Sequence, residues 1–177
     1  QQAQLHFAIG QALRNVGREE EALARFLRAV AAEPRSPFAY NALIALVAAE
    51  VPVDEYLRGV TDYYAGAYNP AIAALQRYLA AEPQTEKVDA AYYYLGQSQW
   101  GLGQFTAALE TLEQVIRDHP QSAYWDDAWF DKAAIQARLG DVPAARATYQ
   151  DFARLYPQHA RAGEALWEAA LLLEAVN

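Results

Sequence analysis

Side chains able to do chemistry are few in this sequence, and their spacing argues against catalysis. Three histidines (His6, His119, His159) are scattered, and no two have the spacing by which imidazoles share a metal ion. No His-Glu-x-x-His or Gly-x-Ser-x-Gly pattern occurs. The three serines, Ser36, Ser98 and Ser122, lack the context of an activated nucleophile. Asp126 and Asp127 form a carboxylate pair of the kind that could move protons or hold a cation. They sit at the expected start of a helix just before Trp129, where negative charge complements the unpaired amides and the helix dipole, so they are expected to be capping charges. Cysteine is absent, which rules out disulfides and thiolate metal sites. No catalytic residue, metal site or cofactor is expected.

The remaining chemistry is that of recognition. The chain has 12 Tyr, 4 Trp and 6 Phe, and aromatic faces set among amide and guanidinium groups suit stacking on a sugar, a proline-rich peptide or an amphipathic helix. A net charge of −8 would repel phosphates, so nucleic acid is not an expected partner. No apolar run approaches the roughly 20 residues that span a bilayer. With 54% hydrophobic and 20% charged residues in 177, the composition is that of one globular domain. The chain starts at Gln1 and contains no Met, the expectation being that a signal peptide was removed or that the sequence is cut from a larger protein.

An internal repeat organises these residues. The triplet Gly17, Ala22, Pro34 returns with the same internal spacing at Gly66, Ala71, Pro83, then at Gly103, Ala108, Pro120, and at Gly140, Ala145, Pro157. Successive copies are offset by 49, 37 and 37 residues. Each position has a physical task. The glycine ends a first helix with a left-handed residue before a tight turn. The alanine, early in a second helix, lets two helix axes approach to about 8–10 Å. The proline cannot continue a helix and ends the second one. Between them apolar residues recur at helical spacing, as in Leu23, Phe26, Leu27 and Val30.

These features resemble the tetratricopeptide repeat. Its first-helix pattern of an aromatic followed by Leu-Gly is met by Tyr92, Leu95 and Gly96, and by His6, Ile9 and Gly10 with histidine in the aromatic place. The unit ending at Pro157 has Trp129 followed by Lys132 and Ala133, and the unit ending at Pro83 has Glu55, Arg58 and Gly59. The 37-residue spacing, with Pro-Gln after the second helix, is similar to the variety found in bacterial envelope proteins. The resemblance implies an all-α fold, a right-handed α-solenoid of tetratricopeptide hairpins with about ten helices, and an exported location in a bacterial periplasm, envelope or exterior.

It also implies a concave face built from first-helix positions. Carried over, these are Phe7, Gln11, Arg14 and Asn15, then Tyr56, Val60, Tyr63 and Tyr64, then Tyr93, Gln97 and Trp100, then Asp127, Phe130, Ala134, Ala137 and Arg138. The strongest binding candidates are Tyr56, Tyr63, Tyr93, Gln97, Trp100, Phe130 and Arg138. The alternative for Tyr56, Tyr63, Tyr93 and Trp100 is packing between neighbouring first helices. The Lys and Asn residues by which chaperone-docking relatives hold a peptide carboxylate are not matched at these positions.

Helices are expected near 3–15, 19–32, 37–50, 53–65, 69–81, 87–101, 105–118, 124–138, 143–155 and 161–175. Pro52 and the 49-residue offset make helix 37–50 an extra one with no hairpin mate. The expected domain organisation is therefore 1–50, a hairpin plus one helix, and 51–177, three further units whose last lacks its second helix. The last helix is apolar around most of its circumference, from Ala165 to Val176. It is expected either to expose an assembly contact at Leu166, Trp167 and Leu172, or to tuck against the preceding hairpin and expose only small alanines.

Three functions are compatible with this pattern. The first is a non-catalytic scaffold binding a protein or peptide, or a glycan, on the aromatic face. The second is a structural subunit that self-associates head to tail into filaments through its C-terminal helix. The third is the superhelical, non-catalytic segment of a soluble lytic murein transglycosylase, since the Glu-Ser motif of that family's catalytic domain is absent.

Overall fold

The computed structural model describes residues 1–81 and 87–174. These residues form ten α-helices and no strand. They are α1 Gln2–Asn15, α2 Glu19–Ala32, α3 Pro37–Ala48, α4 Glu55–Tyr64, α5 Tyr68–Ala80, α6 Val88–Gly101, α7 Phe105–Asp118, α8 Trp125–Arg138, α9 Val142–Leu155 and α10 Ala162–Glu174. Each lies within two residues of its expected position. Pro83, Gln84, Ala175 and Val176 fall outside the described residues.

The repeat positions perform the tasks their chemistry suggests. Gly17, Gly66, Gly103 and Gly140 all have positive φ, between 74° and 82°. Ala22, Ala71, Ala108 and Ala145 are fully buried, so each second helix meets its neighbours through a methyl group. Side-chain caps fix other helix starts. The Ser36 hydroxyl accepts from the Phe38 amide with Pro37 as the first helical residue, Asp54 accepts from Leu57, and Asp141 accepts from Ala144. The Asp54 cap explains why α4 begins at Glu55 and not at Val53.

The chain divides into two compact units, Gln1–Leu102 and Gly103–Asn177. In the first, α1 and α2 form a hairpin, and α3 lies against α2 and, more lightly, α1. The pattern repeats as α4 and α5 form a hairpin and α6 lies against both. The extra helix α3 therefore packs as the first helix of a repeat whose second helix is missing. Phe26, Val30, Leu43 and Leu46 are the large members of this core, each contributing about 1.5–3 kcal/mol by leaving water. The division does not fall at Pro52, where the sequence suggested a seam. Val51, Val53 and Leu57 pack against the α1–α3 core and carry apolar contact across that proline.

In the second unit α8 packs on α7, α8 and α9 form a hairpin, and α10 lies on α9. Its core gathers Trp125, Phe130, Tyr149 and Phe152, with Ala162, Ala165 and Ala169 facing it from α10. Trp125 packs edge-on against Tyr156 at 4.6 Å and donates its indole N–H to the Ile116 carbonyl.

Candidate functional site

A recess among the expected binding positions lies between α1 and α3. Phe7, Gln11, Arg14 and Asn15 of α1 face Asn41, Ile44, Ala45 and Ala48 of α3 across a groove of about 530 Å³, with Phe26 at its base. Phe26 can reach that place because Gly10 has no side chain. A β-carbon at Gly10 would stand 2.5 Å from the Phe26 ring. The ring is held by Phe7 at 5.6 Å and by the Arg14 guanidinium at 4.9 Å. Arg14 in turn makes a forked ion pair with Glu19, with nitrogen–oxygen distances of 2.8–3.2 Å, so its charge is met within the protein. What the groove presents is carboxamide groups from Gln11, Asn15 and Asn41 around the apolar surface of Phe7 and Ile44.

The α1 half of this groove follows from the first-helix positions. The α3 half was missed, because the sequence reading gave α3 no place in a repeat. A usable signal exists: Ala42 stands eight residues after Pro34, as Ala91, Ala128 and Ala165 stand eight after Pro83, Pro120 and Pro157. All four alanines are fully buried.

The tyrosine candidates of the first unit come together on α4 and α6 as a connected set of rings. Tyr63 lies 5.0 Å from Tyr64, 5.2 Å from Tyr94 and 6.2 Å from Tyr68, and Tyr93 lies 5.8 Å from Tyr94. Tyr56 packs against Tyr78 at 5.5 Å with the rings tilted, beneath the Lys87 ammonium. Tyr56, Tyr63, Tyr93, Gln97 and Trp100 are all half-buried, so each packs against the protein and keeps part of its surface wet. Tyr94, not among the candidates, is the buried hub of the set.

The second unit departs from expectation at Phe130, which is only 8% exposed and belongs to the core. It packs edge-on against Tyr149 and Phe152 at 5.2 and 5.4 Å, and the Arg161 guanidinium covers its ring at 3.5 Å. Arg161, at the threshold of α10, displaced it from the lining. Arg161 also reaches Asp126 at 3.4 Å, Asp127 at 2.8 Å and Glu164 at 2.8 Å. The Asp126–Asp127 pair does stand in the first turn of α8, yet no side-chain cap forms there, and the two carboxylates tie α8 to the start of α10. Arg138 is exposed, with its guanidinium 5.8 Å from the Phe105 ring.

On α10, Leu166 is 56% and Trp167 64% exposed, whereas Leu172 packs against the core of its own unit. Leu171 and Leu173 are exposed as well, so the helix tucks onto α9 but leaves more than alanine in water.

Burial pushes the Asp62 carboxyl of α4 up to about 6, against the opposite pull of Arg58 at 3.9 Å. Among the described residues no group of His, Asp and Glu is arranged to hold a metal ion, and no helix is long and apolar enough to cross a membrane.

Comparison with known proteins agrees with this hairpin geometry. Residues 56–123 and 93–160 match one family model described as a tetratricopeptide repeat, and residues 3–36 match another of the same description. No curated protein matches.

Proposed function

We propose that this chain, which belongs to the tetratricopeptide-repeat family, holds an extended, uncharged segment of a partner protein in the groove between α1 and α3. Repeats of this family serve in general as non-catalytic protein-interaction scaffolds, which sets the class of function. The observation that carries the finer reading is the groove lining. Carboxamides donate and accept at once, so Gln11, Asn15 and Asn41 are suited to a peptide main chain, whose amides and carbonyls alternate. Phe7 and Ile44 offer an apolar seat for one anchoring side chain. Because Glu19 already neutralises Arg14, a ligand charge gains little there.

The half-buried tyrosine face of α4 and α6 supports a second stretch of the same contact, with Tyr63, Tyr93 and Trp100 stacking on partner side chains. Random peptides displayed on phage and selected on the whole chain test both. Selected peptides are expected to share an apolar anchor and to lose binding when Asn15 and Asn41 are both changed to Ala. Retained binding in that variant, with loss on changing Tyr63 and Tyr93 to Ala, would move the site to the tyrosine face; retention in both would refute the proposal.

The exposure of Leu166 and Trp167 favours a second reading, in which copies of the chain associate through α10. Light scattering over a concentration series is expected to show mass growing with concentration, and Leu166→Glu with Trp167→Glu to hold the chain at about 20 kDa. A constant monomer mass in the parent chain would remove this reading.

A further inference from the structure

A second recess in the first unit shares no residue with the α1–α3 groove. It lies where a repeat is incomplete and α4 follows α3 with no second helix between them. Ser36, Pro37 and Tyr40 at the start of α3 and Thr61, Tyr64 and Ala65 at the end of α4 line a cleft of about 230 Å³. We propose that this cleft binds a neutral amide group of a partner protein, held by the hydroxyl of Thr61.

The observation that carries the assignment is Thr61 itself. It is only 1% exposed, and its hydroxyl has no hydrogen-bond partner. A buried Ser or Thr in a helix can turn its proton back to a carbonyl one turn earlier. Ser98 does so, donating to the Tyr94 carbonyl at 2.7 Å, and the buried Thr148 donates to the Gln136 carboxamide at 2.7 Å. Thr61 makes neither kind of bond, and what it borders instead is the cleft. An unpartnered buried hydroxyl is costly, and a ligand atom in the cleft removes that cost.

The lining selects the chemistry of the ligand. Thr61 offers a proton and lone pairs together. Ser36, whose oxygen accepts from the Phe38 amide at 3.2 Å, has a hydroxyl proton to donate beside it. An amide meets both roles, because its carbonyl accepts and its N–H donates. A charged group fits less well. No carboxylate lines the cleft, and Arg35, the cation that borders it, donates to the Tyr94 hydroxyl at 3.0 Å and lies 5.0 Å from the Tyr64 ring centre. A charge taken in would give up its hydration for a counter-ion already engaged in the protein. Pro37 and the rings of Tyr40 and Tyr64 supply apolar surface for the carbons that carry the amide. The volume admits one such group, since ligands of drug size occupy roughly 300–1,000 Å³.

That the amide belongs to a protein rests on the family's class of function; the groove reading plays no part. Its source is either a peptide main chain or the side chain of Asn or Gln, and two small probes separate them. N-methylpropionamide carries the first kind of amide and propionamide the second. Each is titrated into the whole ¹⁵N-labelled chain, with propionate and glucose as further arms. Saturable shifts at the amides of Ser36, Tyr40, Thr61 and Ala65 are expected with at least one of the two amides, and weaker binding of propionate and glucose. Thr61→Val, which keeps the shape and removes the hydroxyl, is expected to weaken amide binding several-fold and to leave the unfolding midpoint of the free chain unchanged or higher. Thr61→Ser is expected to retain binding, as is the double variant Asn15→Ala with Asn41→Ala, which alters only the groove. The titration of the parent chain stands without any variant. Absence of saturable shifts with both amides would leave the cleft to an ordered water only and overturn the assignment. Propionate or glucose binding as tightly as the amides would overturn it too, as would undiminished binding or a lowered midpoint in Thr61→Val, or loss of binding in the groove variant.

Discussion

Adding one methyl group at Gly10 should destabilise the protein, although the same change in a helix ordinarily stabilises it. Glycine inside a helix is less favourable than alanine by roughly 0.5–1 kcal/mol, so Gly10→Ala begins with a gain of that size. Against it stands the Phe26 ring, with Cε1 at 2.5 Å, Cδ1 at 2.8 Å and Cζ at 3.1 Å from the new β-carbon. Carbon atoms rest at about 3.5–4.0 Å, so the ring must withdraw by about 1 Å. It has nowhere to go: Phe26 is fully buried, with Phe7 and the Arg14 guanidinium against it. Overpacking of this kind costs typically 1–3 kcal/mol, and the shortness of the contact places it in the upper part of that range. The net expectation is a loss of about 1–2 kcal/mol. Gly163→Ala is the control, since nothing lies within 4 Å of its β-carbon position near the start of α10. That variant should match the parent or gain up to about 1 kcal/mol. Urea unfolding followed by circular dichroism measures both. A Gly10→Ala midpoint at or above that of the parent would refute the packing argument.

Asp62 is buried with its carboxyl raised, so the folded state holds a proton that the unfolded state has released between about pH 4 and 6. Stability should therefore fall as pH rises through that window, and Asp62→Asn should flatten the dependence and add about 1–2 kcal/mol at pH 7; parallel pH–stability curves for parent and variant would contradict this. Arg161→Met keeps an aliphatic stem over Phe130 but leaves Asp126, Asp127 and Glu164 facing one another, and should lose about 1 kcal/mol in low salt and less near 1 M salt. An unchanged melting temperature would show that the cluster contributes nothing. Phe130→Ala should cost about 3 kcal/mol in unfolding titrations as a core truncation. Tyr93→Ala, at a half-buried position, should cost distinctly less; equal losses would contradict the separation of core from lining.

The hairpins could be read from the sequence because three residue types with strong backbone consequences recur at fixed spacing. A left-handed glycine, a methyl-sized contact and a chain-ending proline each constrain local geometry without help from distant parts of the chain. The binding surface was legible only in part, for the opposite reason. Phe7, Gln11, Arg14 and Asn15 do line a groove, because their place on α1 follows from helix register. Phe130 occupies an equivalent register yet is buried, because Arg161, 31 residues later, folds over its ring. Register says which way a side chain points but not what will cover it. Asp126 and Asp127 teach the same lesson: their position at a helix start is local, while their engagement with Arg161 is not. The α3 wall of the groove was overlooked for want of the glycine that marks other repeats, although its alanine at the proline-plus-eight position was in view.

Within each unit, every helix packs against neighbours one or two places away along the chain. The contacts that define the fold are thus short in sequence, and closing them sacrifices little chain entropy. A chain wired this way should fold rapidly for its length, since no step waits for distant segments to find one another. Damage should also stay where it is made, a weakened hairpin fraying its neighbours while helices further along remain protected from hydrogen exchange.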